Sequence, residues 1–175
     1  YEECWLPFFS LLKKNFKNIE EYHVYLVSDT KTYKNHEFVK NITVSKNGKI
    51  LSWSDRILQS LEIIQSEIIF LLMDDFFLMS NLDHEKFDYF TEIIDNDKTI
   101  ANIRLVNQKH TVNSVYNKLE KLKNLASYKI SLQPGLWRKE FLKELLIQGE
   151  SPWKFELLGT IRALYYPKKF LVVKK

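Results

Sequence analysis

The sequence predicts an α/β fold with a mostly parallel central sheet flanked by helices, and three observations carry that prediction. The run Ile68-Ile69-Phe70-Leu71-Leu72-Met73 is apolar at every position and then stops at Asp74-Asp75. An unbroken apolar run of this length reads as a strand covered on both faces, placed in the middle of the sheet. Strand-like and helix-like segments alternate along the chain, which favours parallel strands with helices on both sides. At 175 residues and 45% hydrophobic, the chain can bury one substantial core, so a single domain is expected over 1–175.

The elements follow in order. Trp5, Phe8, Phe9, Leu12 and Phe16 recur at helical spacing, with Pro7 tolerable in a first turn. Residues 22–28 form a strand that ends at Asp29, Ile42-Thr43-Val44 a short second strand, and Asn47-Gly48 a turn. A helix over 54–66 presents Ile57, Leu58, Leu61 and Ile64, with Ser52 or Ser54 as N-cap. After the acidic pair come a helix near 84–94 and a strand at 100–106. The stretch 107–127 is polar, basic and weakly patterned, and is expected to be a mobile loop. Tyr128–Leu132 reads as a strand closed by Gln133-Pro134-Gly135, and 137–147 as a helix ended by Gly149. Pro152 opens a last helix, and Phe170–Val173 is the final strand.

Composition excludes several chemistries. The lone Cys4 can form no internal disulfide, so nothing calls for an oxidising compartment and a cytoplasmic placement is expected. Neither a signal peptide nor an apolar run long enough to cross a bilayer is present. His23, His36, His84 and His110 form no HxxxH pair, and there is no P-loop, GxGxxG or GxSxG. The net charge of +4 comes from lysine clusters interleaved with acids. Solvated helix faces account for most of it, and peripheral attraction to an anionic membrane, at the inner face, is the further expectation. Aromatic residues make up 14%, a supply that serves a core and also suits stacking on sugars.

The segment Tyr22–Leu78 resembles the nucleotide-binding half of a GT-A (Rossmann-like) glycosyltransferase of the inverting family 2 type. Tyr25-Leu26-Val27-Ser28-Asp29 corresponds to a strand ending in an acid, 53–65 to the helix, and Phe70-Leu71-Leu72-Met73-Asp74-Asp75 to the strand that enters the DxD motif. Taken with Asp75 last, the motif has Met73 first; taken from Asp74, Phe76 stands third. The resemblance implies that Asp29 reaches the donor's base or ribose, that Asp55 and Arg56 lie near the nucleotide, and that Asp74 and Asp75 face the diphosphate. Asp75 would hold a divalent cation, Mn or Mg. It also implies a strand ahead of the first helix, which is expected to be missing here.

A second resemblance covers Tyr128–Trp137 and Ser151-Pro152-Trp153-Lys154-Phe155-Glu156, which look like the acceptor side of bacterial polysaccharide glycosyltransferases. Residues 1–80 then form the nucleotide-sugar half and 81–175 the acceptor half. Glu156 is the expected base that takes the acceptor hydroxyl proton, among aromatic neighbours that would desolvate it. Gln133 and Trp153 are expected acceptor contacts. A helix-surface role is the structural alternative for Glu156, an Asx-turn for Asp29, and a pairing with Asp55 or Glu62 for Arg56.

The expected function is transfer of a sugar from a nucleotide-sugar donor to a glycan or lipid-linked acceptor, with a non-catalytic sugar- or partner-binding module as the alternative. A sugar-phosphate nucleotidyltransferase would need a glycine-rich loop, and the chain has four glycines, none in such a loop. No acid-x-Lys strand accompanies the acidic pair, so a nuclease, and a nucleic-acid partner, are not expected.

Overall fold

The computed structural model describes residues 2–45, 50–114 and 116–174; the expected turn at Asn47-Gly48 lies outside them. Helix α1 (Glu2–Asn15) leads through a short 3-10 turn into β1 (Val24–Ser28) and β2 (Val39–Thr43), then α2 (Trp53–Ile63) and β3 (Ile68–Leu71). Next come α3 (His84–Asn96), β4 (Ile100–Arg104), β5 (Thr111–Asn113) and β6 (Leu119–Leu122). The chain closes with β7 (Gly135–Arg138), α4 (Lys139–Leu145), α5 (Pro152–Arg162) and β8 (Lys169–Val173). It is an α/β fold, as expected.

The sheet is not mostly parallel. β1 and β2 pair in parallel as a two-stranded sheet, and the others form a six-stranded sheet in the order β3-β7-β4-β8-β6-β5. Within it only β4 and β8 run parallel; β7 lies antiparallel between β3 and β4, and β5, β6 and β8 are joined antiparallel. The apolar strand β3 is therefore an edge strand rather than a central one. Its sequence misleads for a physical reason: side chains report what covers the two faces, whereas lateral neighbours are met by the backbone.

Both faces of β3 are indeed covered. Ile68, Phe70 and Leu72 join the core under α1 and α3, built on Phe8, Phe9, Leu12, Phe87, Phe90 and Ile94. Ile69, Leu71 and Met73 join the opposite core under α2, α4 and α5, built on Trp53, Leu61, Phe141, Leu142 and Phe155. Each β3 side chain nevertheless stays only half buried, as suits an edge.

Three further expectations change. Tyr128–Leu132 is irregular, and the strand is Gly135–Arg138, where Trp137 is fully buried and the helix starts only at Lys139. Gly135 suits this close approach: a Cβ would stand 3.1 Å from the Ile103 carbonyl and 3.0 Å from Asn102 Nδ2 on the neighbouring strand. The stretch 107–127 is no mobile loop but carries the β5–β6 hairpin, pinned by buried Leu119 and Leu122. Pro7 sits in the second turn of α1, where it removes one helical hydrogen bond, while of the two expected caps of α2 it is Ser52 that caps it.

Candidate functional site

The sheet edge at the carboxyl ends of β1, β3 and β4 gathers most of the residues singled out from the sequence. Since Leu71 at the end of β3 pairs with Gly135 at the start of β7, the segment Gln133-Pro134 lies at this same edge. The Pro134 carbonyl accepts from the Leu105 N–H, which ties in the end of β4. The N-terminus of α1 links the rest, through an ion pair of Glu2 with Lys31 just after β1 and a hydrogen bond from Trp5 to Asp74 just after β3.

Asp29 is held on both carboxylate oxygens. Arg56 Nη1 donates to Oδ2 at 2.6 Å and the Leu51 N–H to Oδ1 at 3.1 Å. Arg56 thus fixes Asp29 rather than Asp55 or Glu62. Asp55 is also engaged: the Ser52 hydroxyl donates to its Oδ2 at 2.6 Å and accepts from its N–H at 3.1 Å, so the pair closes the first turn of α2. These three residues form one cluster where β1 ends and α2 begins. It is internally neutralised apart from the Asp55 carboxylate.

The two carboxylates after β3 part company. Asp74 Oδ2 accepts from Trp5 Nε1 at 3.0 Å and is half buried, while Asp75 is exposed and makes no side-chain hydrogen bond or ion pair with a described residue. A tight turn accounts for the divergence, closed by the Phe76 N–H donating to the Met73 carbonyl at 3.1 Å. Among the described residues, no three His, Cys, Asp or Glu side chains gather as a metal-binding group.

Glu156 faces the sheet from the first turns of α5. Its Oε1 accepts from the Leu132 N–H at 2.7 Å and from Ser131 Oγ at 3.0 Å, and Oε2 meets no donor among the described residues. One turn on, Thr160 Oγ1 accepts from the Ile130 N–H at 3.0 Å, so two turns of one helix hold residues 130–132 in place. Gly159 lets α5 approach this closely, since a Cβ there would press on Ile130 Cγ2 at 3.3 Å. The expected aromatic surround is not what is found: Phe155 points into the core, and Trp153 and Leu157 point to solvent, at 73% and 56% exposure. Gln133 is half buried, its N–H donating to Ser131 Oγ at 3.3 Å.

Arg104, at the end of β4, was not anticipated. It is buried, and its Nη2 donates to the Tyr128 carbonyl at 2.8 Å and the Lys129 carbonyl at 3.2 Å, securing the segment that feeds Ser131 and Leu132 to Glu156. Burial lowers its pKa to about 10, against an opposing pull from the Glu156 charge, and it stays cationic at neutral pH. The signal was partial: Arg104 follows Ile100-Ala101-Asn102-Ile103 at the end of an expected strand, as Asp74 follows the apolar run 68–73. Ser131 and Trp5 gave no such signal, because each matters through a partner distant in sequence.

A second unanticipated feature braces α5. Glu150 is buried and takes both Arg162 guanidinium nitrogens at 2.8 Å, while its backbone N–H donates to Ser54 Oγ at 2.9 Å. This clamp joins α5 to the start of α2, beside Asp55. Surface hollows lie elsewhere, one lined by Glu67, Ile68, Thr91, Glu92, Asp95 and Lys98 near the start of β3, and one around His110 and Lys123. Neither holds the residues described above.

No helix is long and apolar enough to cross a membrane among the described residues. Neither a protein-family model nor a curated protein sequence matches this chain.

Proposed function

We propose that the chain is a GT-A-type glycosyltransferase that moves a sugar, with inversion, from a nucleotide-sugar donor to a glycan or lipid-linked acceptor. Such a reaction belongs to polysaccharide assembly at a cytoplasmic membrane face. One observation carries the reading: at the carboxyl-end edge the exposed Asp75 carboxylate, in the turn after β3, has no described partner, and Glu156 on α5, clamped at Oε1 by the segment that leads into β7, keeps Oε2 free of described donors. An inverting transfer calls for a base that takes the acceptor hydroxyl proton and a positive charge that offsets the departing diphosphate, which a carboxylate supplies by holding a divalent cation.

The residues fit a divalent cation only in part. Asp75 can supply one carboxylate, with donor phosphate oxygens and water completing the shell, which is the usual way Mg or Mn is held in phosphate sites. Bound there, the cation would offset charge on the departing diphosphate. Asp29, oriented by Arg56, is the proposed contact for the donor's ribose or base. Asp74 anchors the β3 turn through Trp5, and Asp55 shapes the start of α2. Glu156 Oε2 takes the proton of the attacking hydroxyl while Oε1 stays clamped by Ser131 and Leu132. Gln133, at the same edge, is the proposed acceptor contact.

The test is a panel of nucleotide sugars read first by thermal shift and then by transfer to a mixed glycan acceptor, with and without manganese. A ligand that binds only the folded state raises the melting temperature. Donor-dependent stabilisation that Asp75→Ala abolishes is expected, together with sugar transfer. Stabilisation without transfer would favour the binding-module alternative, and no shift with any donor would end the proposal.

A further inference from the structure

Helix α5 turns a strongly apolar face to solvent. Trp153, Leu157, Leu158 and Ile161 on the helix, with Leu164 and Tyr165 on the 3-10 turn that continues it, are exposed by 73, 56, 46, 54, 44 and 84%. At 100° per residue they fall within an arc of about 140°, and from Trp153 to Tyr165 the stripe runs about 18 Å. Phe155, Gly159 and Ala163 face the opposite way, into the core. A contiguous apolar ridge of this size on a folded surface marks a place where something docks.

Charge decides what that is. Glu156 is turned inward onto Leu132, and Arg162 is spent on buried Glu150, so α5 offers no carboxylate on its outer face. Lys154 is exposed within the arc, and Lys168 follows the ridge; neither has a carboxylate partner among the described residues. The chain as a whole is cationic, at +4. A second copy would bring like charge to the same face, whereas anionic headgroups complement it. An apolar stripe with an aromatic at each end and lysines alongside matches a helix lying in the interface of an acidic bilayer.

We propose that the outer face of α5, from Trp153 to Tyr165, is a docking surface for an anionic lipid bilayer. The stripe enters the headgroup boundary in the plane of the membrane, with Lys154 and Lys168 against lipid phosphates. Docking would not require catalysis, so the proposal stands apart from the transferase reading.

The test is co-sedimentation with vesicles of phosphatidylcholine alone or with about a third phosphatidylserine, at low salt, and quenching of tryptophan fluorescence by brominated lipid. Binding to the acidic vesicles is expected, weakened about tenfold or more by the double variant Leu157→Glu, Ile161→Glu, both exposed sites whose change should spare the fold. Quenching in the wild type that Trp153→Phe removes would support the docking geometry without relying on the charged variant. Absence of binding to acidic vesicles would overturn the proposal, as would equal binding by the double variant. A wild-type dimer that the double variant abolishes, without lipid binding, would assign the ridge to self-association instead.

Discussion

Glu156 has one oxygen committed and one open, and this asymmetry makes its role testable at the scale of a single atom. Gln at this position keeps an oxygen to accept from Leu132 and Ser131, so Glu156→Gln should fold and bind donor normally. Its transfer rate should fall by about 10²–10⁴-fold, the usual effect of removing a positioned base; a Gln variant with full activity would exclude the role. A different carboxylate governs acid stability. Burial alone would raise the Asp97 pKa, but the Lys169 ammonium with hydrogen bonds from Thr99 and Tyr116 outweighs it and holds the group below the usual carboxylate range. A depressed folded pKa contributes stability that is present above the unfolded pKa, near 4, and lost as pH falls through the folded value. Urea midpoints should therefore drop below about pH 4 in the wild type, and Asp97→Asn should flatten that part of the profile.

At the scale of elements, the Glu150–Arg162 clamp is the contact most exposed to challenge. Arg162→Met leaves a buried carboxylate unpaired between α2 and α5, and should cost about 3 kcal/mol in denaturant unfolding. A loss under 1 kcal/mol would show that water replaces the guanidinium. Helices α2 and α5 were legible in the sequence from their start signals, Ser52 as N-cap and Pro152 in the first turn, joined in α2 to apolar spacing near 3.6. Strand identities were harder. Periodicity placed β3 correctly as a strand covered twice, yet said nothing about its lateral neighbours, and the antiparallel β7 between β3 and β4 could not be anticipated from Trp137, whose flanks suit a helix equally well. The hairpin β5–β6 was hidden because its buried pair, Leu119 and Leu122, sits among lysines whose charged ends reach solvent. In the site, acidic side chains were legible as types, but the partners that engage Asp29 lie 22 and 27 positions away, and what separates Asp74 from open Asp75 is a turn and a tryptophan 69 positions away.

The whole molecule is a sheet in two parts, bridged by helices rather than by strand pairing. β1 belongs to the two-stranded sheet and β3 to the six-stranded one, while α1 packs on β1 and β3 residues from one side and α2 contacts β1 and shares a core with β3 residues on the other. Which backbone groups stand open follows from the register. The Val44 N–H donates to the Ser28 carbonyl, so Ser28, Leu26 and Val24 turn their polar groups toward β2, and Tyr25 and Val27 turn theirs away. Likewise the Lys139 N–H donates to the Glu67 carbonyl, which makes Glu67, Ile69 and Leu71 the residues bonded to β7 and leaves Ile68 and Phe70 facing outward. Hydrogen exchange should therefore alternate along both strands, with the amides of Tyr25, Val27, Ile68 and Phe70 exchanging at least tenfold faster than those of Leu26, Ile69 and Leu71, since only the latter open with the sheet. Uniform protection along β1 and β3 would show that the outward amides of these edge strands are also paired in solution.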